Sequence, residues 1–319
     1  MQAPFHADLA EAPPDGSVIW RTARDGVRLR IGLWPVPKAC GTILLIPGRT
    51  EYIEKYGRVI RDLTAQSYAV AVVDLRGQGY SDRLADDPAL GHVGTFSDYQ
   101  LDVAELVTAA SDADLPKPYF LLAHSLGGNI GLRALIEGLN VERAVFSAPM
   151  WGIQIPAAKR LSAAFLPTWA RMTGKRLEYL PGAGEAAYVA ESGFDGNLLT
   201  TDRNHFDYFK RQLSTVPQFA LGGPSVHWFL EAQAECARLA SESWPNVPTQ
   251  IYVGTLEGIV DASVLTKMHS NWPSAELTVI NDARHELMME SPKARKAFLD
   301  GLFAFLKRPR RPFPLIRES

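Results

Sequence analysis

The stretch YFLLAHSLGGNIGLRALIEGL, residues 119–139, decides the fold. Tyr119 to His124 form a continuous apolar run of strand length, and Asn129 to Leu139 have the composition of a helix. Between them, Ala123-His124-Ser125-Leu126-Gly127-Gly128 packs small residues around a serine. A strand that turns straight into a helix tolerates only small side chains beside the turning residue. The strain of the turn holds the serine hydroxyl clear of the backbone, at the positive end of the helix. Ala123 takes a position where glycine is usual, and its methyl group preserves the steric logic.

Outward from this turn the chain alternates. Apolar runs at 42–47 (TILLIP), 68–75 (YAVAVVDL), 119–124 and 143–149 (RAVFSAP) are separated by segments of helical periodicity, among them 53–66 and 96–110. Continuous apolar strands in such alternation indicate a parallel sheet covered by helices on both faces. Residues 17–35 read as two strands around Asp25-Gly26, an antiparallel pair at the sheet edge. Thr95-Phe-Ser-Asp98 has the spacing of a capping box for the helix that follows.

The alternation stops at Pro149 and resumes only at TQIYVG, 249–254, after a gap of about 100 residues, too long for a loop without structure. ELTVIN at 276–281 and a helix over 291–306 then close the pattern. The gap holds Trp151, Trp169, Trp228 and Trp244, many prolines and a helical stretch at 224–240. Residues 1–150 and 248–319 are therefore expected to form an α/β core, with 151–247 a helical insertion over the strand ends, where open α/β sheets bind ligands. The tail from Lys307 onward is basic and broken by prolines, a solvated terminus with at most weak attraction to anionic lipid.

Composition narrows the function classes. A hydrophobic share of 46%, a charged share of 21% and a net charge of −2 describe a globular enzyme without the basic field that grips nucleic acid. Cys40 and Cys236 have no metal-ligand spacing and are expected to be free thiols of a reducing compartment. The N-terminal residues lack the positive start and apolar run of a signal peptide, and no segment has the ~18 apolar residues of a membrane span, so cytoplasmic residence is the expectation.

A serine hydroxyl near neutral pH needs an imidazole to take its proton and a carboxylate to orient that imidazole. His285, in NDARHELM after the last strand, is the histidine placed to serve as base. His124 adjoins Ser125 but is expected to point away from it, and His6, His92, His205, His227 and His269 lie in the tail, a loop, the insertion and a helix. Two carboxylates compete for the third role. Glu257, in the turn immediately past TQIYVG, is favoured by that position; Asp261, the alternative, lies where it would N-cap a helix over 262–270. The oxyanion of the tetrahedral intermediate is expected to meet the backbone N–H of Leu126 and of Arg49, in the loop Pro47-Gly48-Arg49-Thr50-Glu51. The Arg49 guanidinium could face a phosphate or carboxylate, or form an ion pair with a neighbouring acid.

Several motifs taken together resemble those of the lysophospholipase L2 and monoacylglycerol lipase group of α/β-hydrolases. They are PGRTEYIEKY (47–56), DLRGQGYS (74–81), Gly91-His-Val, FSDYQLD (96–102), the turn around Ser125, and Ser147-Ala-Pro-Met. The match covers about residues 15 to 305 and is weakest in the insertion. It implies the α/β-hydrolase fold: a mostly parallel eight-stranded sheet, helices on both faces, and a helical cap inserted after the sixth strand. It also implies hydrolysis of single-chain acyl glycerolipids without metal or cofactor, with Ser125, His285 and an acid as triad.

Pro47-Gly48 stands where many monoacylglycerol lipases have His-Gly, which looks more like the lysophospholipase branch. Glu257 stands where the group usually has Asp. Asp74 and Arg76 are expected to be tied into a structural loop beside the site. A carboxylesterase or thioesterase for small soluble esters would use the same triad. A non-catalytic relative would lack the serine or the histidine, and this chain has both.

Overall fold

The computed structural model describes residues 1–309. Eight strands, β1 (Ser17–Thr22), β2 (Arg28–Trp34), β3 (Thr42–Ile46), β4 (Ala69–Asp74), β5 (Tyr119–His124), β6 (Arg143–Ser147), β7 (Thr249–Gly254) and β8 (Ala275–Ile280), form one sheet in the order β1-β2-β4-β3-β5-β6-β7-β8. The β1–β2 pair and the β2–β4 pair are antiparallel, and the remaining pairs are parallel. Gly26, with φ +89°, makes the expected turn between β1 and β2.

The helices are α1 (Ala7–Ala10), α2 (Gly57–Ala65), α3 (Tyr99–Asp112), α4 (Leu126–Ile136), α5 (Arg160–Thr173), α6 (Tyr188–Glu191), α7 (Arg203–Thr215), α8 (Val226–Leu239), α9 (Ala262–His269) and α10 (Pro292–Leu306). Alternation along each strand sends neighbouring side chains to opposite faces. Leu44, Ile46, Ala71, Val73, Leu121 and Ala123 join one core with α3, α4, α8 and α9. Ile43, Leu45, Val70, Val72, Phe120 and Leu122 join the other with α2 and α10. Both faces are buried, so the central strands are mostly apolar and show no polar alternation.

Thr95 and Asp98 close the expected capping box ahead of α3: the Thr95 N–H donates to Asp98 Oδ2 at 2.9 Å. Between β6 and β7 the chain contributes no strand to the sheet and holds α5 to α8. Three of its four tryptophans pack toward the sheet layer. Trp151 packs on Phe146 and Trp272 of the core, Trp244 stacks on Trp272, and the Trp228 indole donates to Tyr99 Oη at 3.1 Å. They fasten the insertion to the sheet layer, while Trp169 stands at the surface.

Among the described residues no helix is long and apolar enough to cross a membrane. Arg308 pairs with Glu276 at 2.5 Å; the rest of the basic tail, from residue 310, lies outside the described residues.

Candidate active site

Ser125 follows β5 directly and adopts φ +51° and ψ −116°, a conformation costly for a side chain with a Cβ. Three backbone N–H groups fix its carbonyl oxygen: those of Gly128 at 2.9 Å, Asn129 at 3.3 Å and Met150 at 2.8 Å. The Ser125 N–H donates to the Ser147 carbonyl at 3.1 Å, continuing the β5–β6 ladder one residue past the strand. The glycines of the motif are required by close approach. A Cβ on Gly127 would lie 2.2 Å from the Ile46 carbonyl oxygen, and one on Gly128 would lie 2.5 Å from Pro149 Cβ. The start of α4 is thereby pressed against the exit of β3.

That contact brings the two expected oxyanion donors into one region. Leu126 is the first residue of α4, whose first-turn N–H groups have no partner within the helix. Arg49 lies in the loop that leaves β3. Gln78 holds this loop from beneath, its Nε2 donating to the carbonyls of Gly48 at 2.7 Å and Glu51 at 3.0 Å. The DLRGQGYS block is thus a support for the loop. Asp74 is bound by Arg30 at 2.7 Å, and Arg76 reaches Asp102 at 2.8 Å and Asp25 at 2.6 Å, the structural bonding expected of them.

The Arg49 side chain differs from the expected ion pair. Its Nη2 donates to the Gly222 carbonyl at 2.6 Å and its guanidinium lies 5.3 Å from the Trp228 ring centroid, with no carboxylate partner among the described residues. Burial without a counter-charge lowers its pKa to about 10.

His285 and Glu257 are brought together across the loops that follow β8 and β7. His285 Nδ1 lies 2.8 Å from Glu257 Oε2, and both side chains are buried. The other Glu257 oxygen accepts the N–H groups of Ile259 at 2.7 Å and Val260 at 3.1 Å. Burial alone would raise the Glu257 pKa; the imidazole and these bonds outweigh it, and the carboxyl is held below its ordinary value. Asp261 is spent elsewhere. It caps α9, accepting from Ser263 N at 3.0 Å and Ser263 Oγ at 2.6 Å.

Sequence reasoning missed a buried charged cluster behind the site. Lys55 Nζ lies between Glu51 Oε1, at 2.5 Å, and Glu286 Oε1, at 2.7 Å. The Tyr56 hydroxyl and the Gly48 N–H both donate to the other Glu51 oxygen. His124 donates from Nδ1 to the Ser147 carbonyl at 3.0 Å and turns Nε2 toward Glu286 Oε2, 3.4 Å away. Its ring centroid lies 4.8 Å from that of His285. Burial lowers the His124 pKa, but Glu286 and Glu51 outweigh it and hold it above the ordinary value.

Burial likewise raises the Glu286 carboxyl, and Lys55 with His124 brings it well below the usual range. Ligand atoms of Glu51, His124 and Glu286 lie within 4.8 Å of one another, a grouping that would suit a metal ion, yet the Lys55 ammonium already bridges the two carboxylates. The available signals were Glu51 and Lys55 at helical spacing within one motif, and Glu286 adjacent to His285.

Residues 37–292 match the family described as serine aminopeptidase, S33 (Hydrolase_4). Lysophospholipase L2 of Escherichia coli is 30% identical over 284 residues, covering 85% of this chain and 81% of that protein. A probable lysophospholipase L2 of Haemophilus influenzae is 29% identical over 268 residues, covering 83% of each chain. Among solved structures, a soluble variant of monoglyceride lipase from Saccharomyces cerevisiae superposes with a TM-score of 0.72 at 20% identity, covering 96% of this chain and 98% of that one. Monoacylglycerol lipase of Paleococcus ferrophilus gives 0.67 at 18% identity, covering 87% and 98%. This chain belongs to the serine aminopeptidase S33 family of α/β-hydrolases, and within it is a carboxylic ester hydrolase related to lysophospholipase L2.

Proposed function

We propose that this protein hydrolyses the carboxylic ester of a single-chain acyl lipid, a lysophospholipid or a monoacylglycerol, through an acyl-enzyme on Ser125. The observation that carries this reading is the buried 2.8 Å contact between His285 and Glu257, since a histidine so oriented after the last strand is fitted to serve a serine at the end of β5. Ser125 Oγ attacks the acyl carbonyl carbon as its proton passes to His285 Nε2. Glu257 accepts the Nδ1–H and stabilises the imidazolium. The Arg49 and Leu126 N–H groups receive the oxyanion.

The glycerol oxygen then leaves with the proton from His285. Water, deprotonated by the same imidazole, attacks the acyl-enzyme and releases the fatty acid. Residues 151–247 act as a cap over this chemistry. Bonds from Arg49 to Gly222, Gly91 to Gly223 and Ser225 to Gly91 support that placement, since they tie the insertion to loops beside the sheet.

Ser125→Ala should abolish release of p-nitrophenol from acyl esters and labelling by a fluorophosphonate probe. A panel of lysophosphatidylcholine, monoacylglycerol and short soluble esters then tests the substrate class. Preference for the short esters would replace the lipid reading with a carboxylesterase one.

A further inference from the structure

The Arg49 guanidinium is a cation without a counter-charge, held beside the expected oxyanion loop. A guanidinium carries five N–H donors in a rigid fork. Arg49 makes one hydrogen bond, from Nη2 to the Gly222 carbonyl. Its Nε is buried without a partner; its Nη1 has no partner among the described residues either, and is not sealed off. The ionisable group that acts on it is Tyr99, whose hydroxyl is pushed by burial well above its ordinary pKa, so no anion faces the cation at neutral pH. Even at the lowered value of about 10, Arg49 keeps its proton there.

The chain around this cation is shaped to hold it. A Cβ on Gly91 would lie 2.3 Å from Arg49 Nη2 and 3.2 Å from Cζ, so only glycine leaves room for the guanidinium. The Gly91 N–H donates to the Gly223 carbonyl at 2.9 Å and the Gly91 carbonyl accepts from Ser225 N at 2.8 Å, which closes the loop and the insertion around it. Its place relative to the reaction indicates the missing anion. The Arg49 backbone N–H is an expected oxyanion donor, so the guanidinium stands one side-chain length, roughly 6 Å, from where the ester carbonyl would sit. In a lysophospholipid acylated at the first glycerol carbon, six bonds separate that carbonyl carbon from phosphorus, a similar reach; a monoacylglycerol offers only a hydroxyl there. The carboxylate that hydrolysis releases forms at Ser125 and not a side chain's length away.

We infer that the Arg49 side chain is the head-group subsite, donating to the phosphate of a lysophospholipid while the backbone N–H of the same residue serves the oxyanion. The inference rests on the ester hydrolysis proposed above and narrows its substrate to the phosphate-bearing class. Phosphate oxygens accept paired N–H donors from such a fork, which a glycerol hydroxyl cannot match.

The test compares kcat/KM for lysophosphatidylglycerol and monoacylglycerol bearing the same decanoyl chain. Wild type is expected to favour the lysophospholipid at least about tenfold, and Arg49→Met should lower that ratio by about tenfold. General damage to the loop or the insertion lowers both rates alike and cancels in the ratio. Gly91→Ala, which keeps Arg49 but puts a methyl group against its Nη2, should move the ratio the same way. Arg49→Lys, a point charge without the fork, should fall between wild type and Arg49→Met. An unchanged ratio in Arg49→Met would overturn the inference. Inhibition of p-nitrophenyl butyrate hydrolysis reads the subsite without a lipid: sn-glycerol 3-phosphate should compete and glycerol should not, with the inhibition constant about tenfold higher in Arg49→Met. If neither decanoyl lipid is cleaved, the substrate reading fails and this arm alone decides on the subsite. Inorganic phosphate that inhibits as strongly as sn-glycerol 3-phosphate would assign Arg49 to a free anion and overturn the head-group role.

Discussion

The Nδ1 of His285 lies 2.8 Å from Oε2 of Glu257, and the second oxygen of that carboxylate is held by the N–H groups of Ile259 and Val260. An imidazole held in this way keeps the tautomer whose Nε2 is free to take a proton. Glu257→Gln should therefore lower kcat on p-nitrophenyl esters about 10⁴-fold, the size of effect produced when an amide replaces a triad carboxylate. Asp261→Asn removes at most part of a helix cap, about 1 kcal/mol of stability, and should leave kcat nearly intact. Equal losses in the two variants would deny Glu257 the role.

Lys55 is the cation between two buried carboxylates. Lys55→Met leaves Glu51 and Glu286 without the ammonium that bridges them, and urea unfolding should show a loss of about 3–5 kcal/mol. Lys296→Met, which breaks an exposed pair with Asp300, should cost less than about 1 kcal/mol. Similar values for the two would show that the cluster contributes no more than a surface ion pair.

Stability should depend on pH at both ends for opposite reasons. Glu257 and Glu286 are held below the ordinary value of 4.5, so their contribution is complete above that value and drains away as pH falls through their folded values. His124 is held above its ordinary 6.5, so its contribution is complete below 6.5 and is lost as pH rises through the folded value. In a plot of Tm against pH, His124→Gln should remove the alkaline decline due to this group and, because His124 also helps hold Glu286 low, shift the acid limb toward higher pH; an unaltered alkaline limb in that variant would place its origin elsewhere.

The turn at Ser125 depends on contact between α4 and the exit of β3. Gly127→Ala would drive a methyl group into the Ile46 carbonyl, and should destabilise the fold by about 1–3 kcal/mol together with a fall in esterase activity. Gly184→Ala, with no heavy atom within 4 Å of the added Cβ, serves as the control in the same thermal melts.

The parallel sheet was legible because both of its faces are buried, which leaves the central strands as unbroken apolar runs such as TILLI and AVAVVD. Ser125 was legible because the strain at its φ of +51° demands small neighbours, and small neighbours leave a motif. The destination of the Arg49 guanidinium was not legible. Its partner is the Gly222 carbonyl, a backbone atom that any residue would supply, so no side chain in the sequence announced it.

By itself, then, the sequence determined those features that local sterics or periodicity impose: the strand-turn-helix around Ser125, the hairpin at Asp25-Gly26, the apolar strands, and the placing of His285 after the last of them. The sequence favoured Glu257 by its place in the turn, but only the tertiary structure showed it, and not Asp261, beside His285, because the direction of each carboxylate is set by how the two loops pack. The tertiary structure alone gathered Glu51, Lys55, His124 and Glu286, which come from three separate stretches of chain, into one buried network. Their charges are tolerable there because they face one another, a condition set by folding and by no single segment.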